Sequence, residues 1–388
     1  MRYHIRVLLI AGFVSALVFP SYEAYAITDK PWLMALYSNY GRFDANKANS
    51  DGAQSIGYFQ LVYDKSKWGA GITSSYNSVS YQAGRATDSY DLSGLTDTAL
   101  TTFYNKRIKK ANFRFGLDIG LPTGKNAVTI QNLSRVIVDD VREDLLLLNT
   151  YGAGFNVAPN FAATYNRGSV TWGLGGRYLF AGEYDPTTDF AGDNFDPGDS
   201  LSVVASALTS ISDSDSLFLT LIYTTYGKDK QGGRDVFRNG DIYTFEARYV
   251  KRFVEDLTST LAFVFRKQDK NERLGEGIAL KSETGNSNAN VMEFLFENIY
   301  RYSRRFSVTA VTGYKTVGSN DYGEGDSFQD AGRDKIYIEP GAIWKFSESA
   351  YSTFKLRYSK LNDKKDAFSP EDTTYNVFNL DIGVVLSF

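Results

Sequence analysis

From about residue 31 to its last residue, the chain repeats short segments in which every second side chain is apolar, separated by stretches rich in Gly, Asn, Asp and Ser. A period of two puts alternate side chains on opposite faces of a strand. The terminal segment shows it best: Tyr375-Asn-Val-Phe-Asn-Leu-Asp-Ile-Gly-Val-Val-Leu-Ser-Phe388. Phe378, Leu380, Ile382, Val384, Leu386 and Phe388 share one face, and Val377, Asn379, Asp381, Gly383, Val385 and Ser387 share the other. The same apolar face recurs as Phe113, Phe115, Leu117, Ile119 and Leu121, as Val170, Trp172, Leu174, Tyr178 and Phe180, and as Leu217, Leu219, Leu221 and Tyr223. It returns in Leu261, Phe263 and Phe265 and in Phe354, Leu356 and Tyr358.

The opposite faces carry charge. Arg114, Asp118, Arg177, Glu246, Arg248, Arg266, Glu293, Glu297, Lys315, Glu339, Lys345, Lys355, Arg357 and Asp381 all alternate with apolar neighbours. If the apolar face meets lipid, a misplaced Arg or Lys at mid-depth costs about 2–4 kcal/mol, so these residues are expected to line a polar lumen of mixed sign. Connections alternate in length as well. Short ones fall at 64–67, 105–110, 166–168, 212–215, 254–256, 303–305 and 347–350. Long ones fall at 44–54, 84–94, 122–152, 182–198, 228–240, 269–289, 318–334 and 362–374. The expected fold class is therefore all-β, a transmembrane antiparallel β-barrel of about sixteen strands with short periplasmic turns and long extracellular loops. The segments 93–104 and 155–165 alternate poorly, so fourteen and eighteen strands stay open.

The N-terminus changes the picture only by assigning a compartment. Arg2 and Arg6 precede an apolar run over 7–19, and small residues stand at Ala24 and Ala26. That is the pattern of a secretory signal peptide spanning 1–26, which leaves 27–388 as one barrel domain. The run is shorter than the roughly 18 apolar residues a membrane helix needs. Aromatic residues make up 15% of the chain, with 27 Tyr and 27 Phe, enough for aromatic girdles at both membrane interfaces. There is no cysteine, so disulfides, thiol nucleophiles and Cys-based metal sites are excluded. The net charge of −3 gives no case for nucleic-acid binding.

Chemistry is limited further by the single histidine, His4, which lies in the signal segment. Acid–base catalysis near neutral pH most often uses His, so enzymes of that kind are not expected, nor is any cofactor. Glu293 and Glu297 share a strand face about 13 Å apart, too far for a glycosidase pair, and fit a wet lumen better. Asp185, Asp189, Asp193, Asp196 and Asp199 cluster in one loop, but their spacing does not match an EF-hand and Pro186 and Pro197 interrupt it. A solvated loop or divalent bridging to lipopolysaccharide both fit, and no metal site is assigned. Tyr151, Phe190, Phe195 and Phe237 stand in loops, either as an apolar access path or as loop packing.

In the longest loop the period changes to helical over 134–148, with Ile137, Val138, Val141, Leu145 and Leu148 on one stripe and Asp139, Asp140, Arg142, Glu143 and Asp144 opposite. Ser134 can cap such a helix. An exposed helix or a strand extension above the membrane fits this stripe, whereas a constriction inside the lumen made by Asp139, Asp140, Glu143 and Asp144 is what a resemblance to general porins implies.

Three resemblances bear on these readings. A C-terminal strand ending in Phe388, with Leu386, Val384 and Ile382 on its face, resembles the assembly signal of Gram-negative outer-membrane barrels. It implies recognition by the barrel-assembly machinery and contact with outer-membrane lipid and lipopolysaccharide. In general porins the loop at the position of 122–152 folds into the barrel, which implies that an acidic helix faces bases such as Arg114, Arg177, Lys355 and Arg357. Porin kinship also implies a homotrimer, although the porin loop motif Pro-Glu-Phe-Gly-Gly is absent here. Finally, Gly94-Leu-Thr-Asp-Thr-Ala99, Phe115-Gly-Leu-Asp-Ile-Gly-Leu-Pro-Thr-Gly-Lys125 and Gly176-Gly-Arg-Tyr-Leu-Phe-Ala-Gly-Glu183 resemble the outer-membrane transporter family linked to meta-pathway phenol degradation. That likeness implies passage of small organic solutes. A plug of the fatty-acid-transporter kind is not expected, since only 27–30 precede the first strand.

The expectation is a passive outer-membrane channel for small solutes. The alternative is a non-conducting structural or surface-interaction barrel that works through its extracellular loops.

Overall fold

The computed structural model describes residues 30–46, 51–65, 67–82, 89–125, 144–145, 152–185, 194–275, 279–367 and 371–388. The signal segment 1–26 lies outside them, as do Asp139, Asp140, Glu143, Tyr151, Asp189, Phe190 and Asp193.

The first half of the barrel wall consists of β1 (Trp32–Ala45), β2 (Asp51–Lys65), β3 (Trp68–Gln82), β4 (Ser89–Leu95), β5 (Thr98–Ile108), β6 (Ala111–Leu121), β7 (Asn156–Arg167) and β8 (Val170–Leu179). After the short β9 (Phe195–Asp196) come β10 (Ser200–Ser210) and β11 (Asp215–Tyr226). A hairpin, β12 (Asp229–Gln231) and β13 (Arg234–Arg238), precedes β14 (Ile242–Val254) and β15 (Leu257–Gln268). Another, β16 (Glu272–Leu274) and β17 (Leu280–Ser282), precedes β18 (Val291–Arg301) and β19 (Phe306–Val317). The chain ends with β20 (Arg333–Ser347), β21 (Ala350–Asp363) and β22 (Thr373–Ser387).

All neighbours in the main sheet pair antiparallel, and β22 returns to β1, with Leu33 opposite Ser387 and Ala45 opposite Tyr375. Closure leaves no edge strand, which a sheet in lipid requires. The main sheet has seventeen strands but sixteen staves, because β4 and β5 both pair with β3. Between them Tyr76 faces Leu95 and Thr73 faces Ala99, so one extra residue is accommodated at Thr96 and Asp97. This bulge exchanges the two faces: Leu92 is buried on the inward side before it, Phe103 after it. A parity change inside one strand explains why alternation over 93–104 looks poor, and why the expected loop 84–94 gives way to a strand that starts at Ser89. Over 155–165 the cause differs, since the inward positions are the small Ala158 and Ala162 beside Asn160.

The outward face is apolar at mid-height, with Leu36, Phe115, Leu117, Leu174, Leu221, Leu261, Phe294 and Ile338 exposed. Aromatic rings crowd both rims. At the short-turn end Trp32 lies 4.9 Å from Tyr63 and stacks on Phe388 at 6.4 Å, and Trp68 lies 4.6 Å from Tyr104. At the long-loop end the hydroxyls of Tyr178, Tyr223 and Tyr314 donate to Asp199, Asp241 and Asp334 at 2.9, 2.6 and 2.7 Å. Rings in lipid with hydroxyls at its polar edge are how Tyr serves an interface. The chain is a transmembrane barrel of the outer-membrane type. Phe388 closes the seam through reciprocal backbone bonds with Trp32, each 3.0 Å.

Above the long-loop rim stands a second sheet, in the order β17, β16, β13, β12, β9. It occupies connections expected to be loops. Gly232 and Gly233 turn β12 into β13 with φ of 55° and 77°, the paired left-handed conformation of a tight hairpin turn. Arg273 of β16 binds Glu283 and holds its guanidinium over the rings of Phe237 and Phe328 at 5.3 and 5.1 Å.

Candidate functional site in the barrel lumen

The loop 122–152 is pinned at both roots by the bulge between β4 and β5. Asp97 accepts the backbone N–H of Gly124 at 2.9 Å and of Ala153 at 2.7 Å. Thr123 accepts the N–H of Thr98 at 2.9 Å. The residues that resemble the phenol-linked transporters, Gly94-Leu-Thr-Asp and Leu-Pro-Thr-Gly, thus form one clamp. It fixes where the loop leaves and rejoins the wall.

Two residues of that loop, Asp144 and Leu145, are buried against the far wall inside the mouth, each 6% exposed. Asp144 receives the ammonium of Lys315 on one carboxylate oxygen and Nε of Arg333 on the other at 2.7 Å. Lys335 donates to its backbone carbonyl at 2.5 Å. Leu145 packs with Phe43, Leu361 and Val377, with Tyr375 beside them. All these wall residues sit within a few positions of the long-loop ends of β1, β19, β20, β21 and β22, in the outer part of the lumen.

Below lies a second cluster on the same wall. Glu339 is 2% exposed and holds Lys355 at 3.2 Å and Nε of Arg357 at 2.7 Å. The Tyr337 hydroxyl donates to Glu293 at 2.9 Å, and the Arg357 guanidinium lies 4.7 Å from the Tyr337 ring centroid. Tyr337 crosses the strand at Gly313, where a β-carbon would meet its ring at 2.1 Å. Asp381 accepts from the Asn39 amide at 2.6 Å.

Around the rest of the lumen the pairs are simpler. Arg177 lies 3.5 Å from Asp118, which also accepts from Thr101 at 2.9 Å and Asn160 at 3.1 Å. Arg114 donates to Asn105 at 2.8 Å and lies 3.8 Å from Asp64. Arg248 binds Glu246, its neighbour two residues away, and Arg266 reaches Gln268 at 3.3 Å. Here side chains remain about one-fifth to one-third exposed, 19% for Arg177 and 31% for Arg248, against 3% for Asp144.

All fourteen charged residues singled out from the alternation fall on the inward register, through pairings such as Thr220 with Glu246, Glu293 with Lys315 and Lys355 with Asp381. The loop acid does not face the bases that the porin resemblance implied. Arg114, Arg177, Lys355 and Arg357 are engaged by strand residues, and Asp144 is met by Lys315, Arg333 and Lys335 instead. Arg333 falls inside the expected loop 318–334, and Lys335, the first residue after it, is not among the expected inward charges. Their alternation with Asp334 and Ile336, continuing to Tyr337 and Glu339, is the signal that would have found them. In the acidic loop, Asp199 accepts from Tyr178 and Ala181, and Asp196 pairs with Lys230 at 3.4 Å. Among the described residues no group of three His, Cys, Asp or Glu is arranged to hold a metal. Phe195 packs edge-on against Tyr184 at 5.8 Å.

No protein family and no curated protein sequence matches the chain. Among solved structures it is similar to a mutant of the TodX monoaromatic hydrocarbon channel, at 9% identity over 96% of this chain and 94% of that one, with a TM-score of 0.48. It is similar to a Pseudomonas aeruginosa FadL homologue at 9% identity, covering 93% and 91%, with a TM-score of 0.45. An outer membrane channel from Pseudomonas putida F1 matches at 12% identity, covering 96% and 100%, with a TM-score of 0.40. These values are too low to carry any property of those proteins to this chain.

Proposed function

We propose that the protein is a passive channel for small solutes in the outer membrane, with the solute path running along the open wall of Arg177, Arg248 and Arg266. The observation that supports it is a sixteen-stave barrel with inward charges that water still reaches, Arg177 at 19%, Arg248 at 31% and Arg357 at 29%. Barrels of sixteen to eighteen strands leave an aqueous channel unless something fills them. The segment at Asp144 and Leu145 narrows the outer lumen from one side. Mixed charge across that gap favours polar solutes or small organic ones carrying a polar group. Single-channel conductance of the refolded mature protein in a planar bilayer tests this, with selectivity taken from reversal potentials at two salt concentrations. Stable open steps are the expected result.

A second reading is a non-conducting barrel that acts through its surface. The five-stranded sheet above the rim favours it, because a packed platform braced by Arg273, Glu283 and Phe328 is more structure than a pore requires. Silence in the bilayer, persisting after deletion of residues 126–150, would select this reading over the first.

A further inference from the structure

We infer that the wall behind Asp144 and Leu145 is a binding site for organic carboxylates with an apolar tail, and that these two residues are its internal occupant. The inference rests on the channel reading for how a solute arrives.

The wall is built from registered pairs. Lys315 lies directly opposite Lys335, and Lys335 directly opposite Leu361, which in turn faces Tyr375. One rung therefore reads base, base, aliphatic, aromatic. Arg333 stands one inward position above Lys335, and Val377 and Phe43, themselves paired, stand one below Tyr375. Two like charges directly opposite on neighbouring strands repel. Glu293 faces Lys315 from its other side and Asp330 lies 3.5 Å from Arg333, but the residues opposite Lys335 are a base and an aliphatic chain, so its anion has to come from the lumen.

The chain supplies one in an informative form. Asp144 presents a carboxylate to Lys315 and Arg333, and the next residue lays a four-carbon side chain into the apolar half. Phe43, Leu361 and Val377 are 1% exposed or less beneath Leu145, so that half is a close-packed apolar contact and not a wet surface. An anionic head followed by a short hydrocarbon is the shape of a small organic carboxylate. Arg333, with its planar fork, and the two ammonium groups would accept such a head in place of Asp144. The solute then competes with the Asp144 carboxylate for one set of partners.

The test is calorimetric titration of the refolded full barrel in detergent with hexanoate, alongside hexanamide, which has the tail without the charge, and acetate, which has the charge without the tail. Hexanoate is expected to bind saturably, and the other two at least about tenfold more weakly, the size of one lost charge-assisted bond. Asp144→Asn removes the competing charge and is expected to tighten hexanoate about tenfold, while Lys335→Gln weakens it by a similar factor. Retention of the heat-modifiable band in gel electrophoresis verifies folding of each variant, and Lys315→Gln replaces Lys335→Gln if the latter fails it. Equal binding of hexanoate and hexanamide, no binding to either the parent or Asp144→Asn, or affinity unchanged in the lysine variant would each overturn the inference. Open conductance without hexanoate binding overturns this site alone, whereas hexanoate binding in a barrel silent in bilayers overturns the channel reading and leaves the site standing.

Discussion

The two sides of the lumen solve the same problem differently. On the side of β6 to β8, each base has an acid or amide from another strand: Arg177 of β8 with Asp118 of β6, and Arg114 of β6 with Asn105 of β5 and Asp64 of β2. That wall is satisfied by its own strands. On the side of β19 to β22, Lys315, Arg333 and Lys335 meet at the mouth, and the carboxylate held between them comes from a residue more than 150 positions away along the chain. The first wall is a stable lining. The second has acids nearby too, with Glu293 opposite Lys315 and Asp330 3.5 Å from Arg333, but it adds the Asp144 carboxylate from the loop 122–152, which sets part of the charge the mouth presents to solutes.

The strongest way to break that contrast is through the apolar anchor. Leu145→Ala removes most of a side chain packed among Phe43, Leu361 and Val377, a loss of about 2–5 kcal/mol for a buried leucine. Because Leu145 is the apolar contact that seats Asp144 against this wall, the expected outcome is a larger single-channel conductance with modest loss of barrel stability. Bilayer recording together with thermal unfolding separates the two effects. Next in size is Asp144→Asn, which deprives two bases of their ionic partner at a cost of about 1–3 kcal/mol. Reversal potentials are expected to move toward anion selectivity, since three bases then face the mouth. An unchanged selectivity would mean that the two walls are electrically equivalent after all.

What could be read from the sequence follows from range. The lipid face of β22 and the inward set from Arg114 to Asp381 are set by period two, a local signal that needs only the strand itself. The burial of Asp144 is not local. It depends on Lys335 and on Arg333, which falls in the expected loop 318–334, and no pattern within 134–148 says which wall Asp144 meets. The bulge at Thr96 and Asp97 hid for another reason: it shifts parity, so each half alternates well while the whole does not. The hairpin of β12 and β13 lies in 228–240, expected to be a loop, although Gln231-Gly-Gly-Arg234 is a two-residue turn signal that could have revealed it.

Smaller effects sharpen the comparison from the other side. Asp118→Asn leaves the partly exposed Arg177 with a neutral partner still able to accept a hydrogen bond, so about 0.5–1 kcal/mol is expected, with conductance and selectivity close to those of the parent. A selectivity change as large as that of Asp144→Asn would show that the open wall, and not the mouth, sets the permeating charge.

The smallest effect concerns the platform above the rim, which the contrast between the walls predicts to be independent of both. Burial works to raise the Glu283 carboxyl, but its bonds to Arg273 and Ser287 outweigh that and hold it below its ordinary value of 4.5. A carboxyl lowered in the folded state stabilises above its unfolded value and loses that contribution as the pH falls through the folded one. The platform is therefore expected to keep its full resistance to protease near neutral pH and to lose part of it in acid, below about pH 4.5. Glu283→Gln should start less resistant at neutral pH and show a shallower acid dependence, because the titrating group is gone while Arg273 keeps only a neutral acceptor. Conductance should not follow this titration, since Glu283 and Arg273 stand above the lumen and touch neither Asp144 nor its bases. If acid closes the channel with the same midpoint as it loosens the platform, the sheet and the mouth act as one unit, and the platform belongs to the solute path rather than to the outer surface.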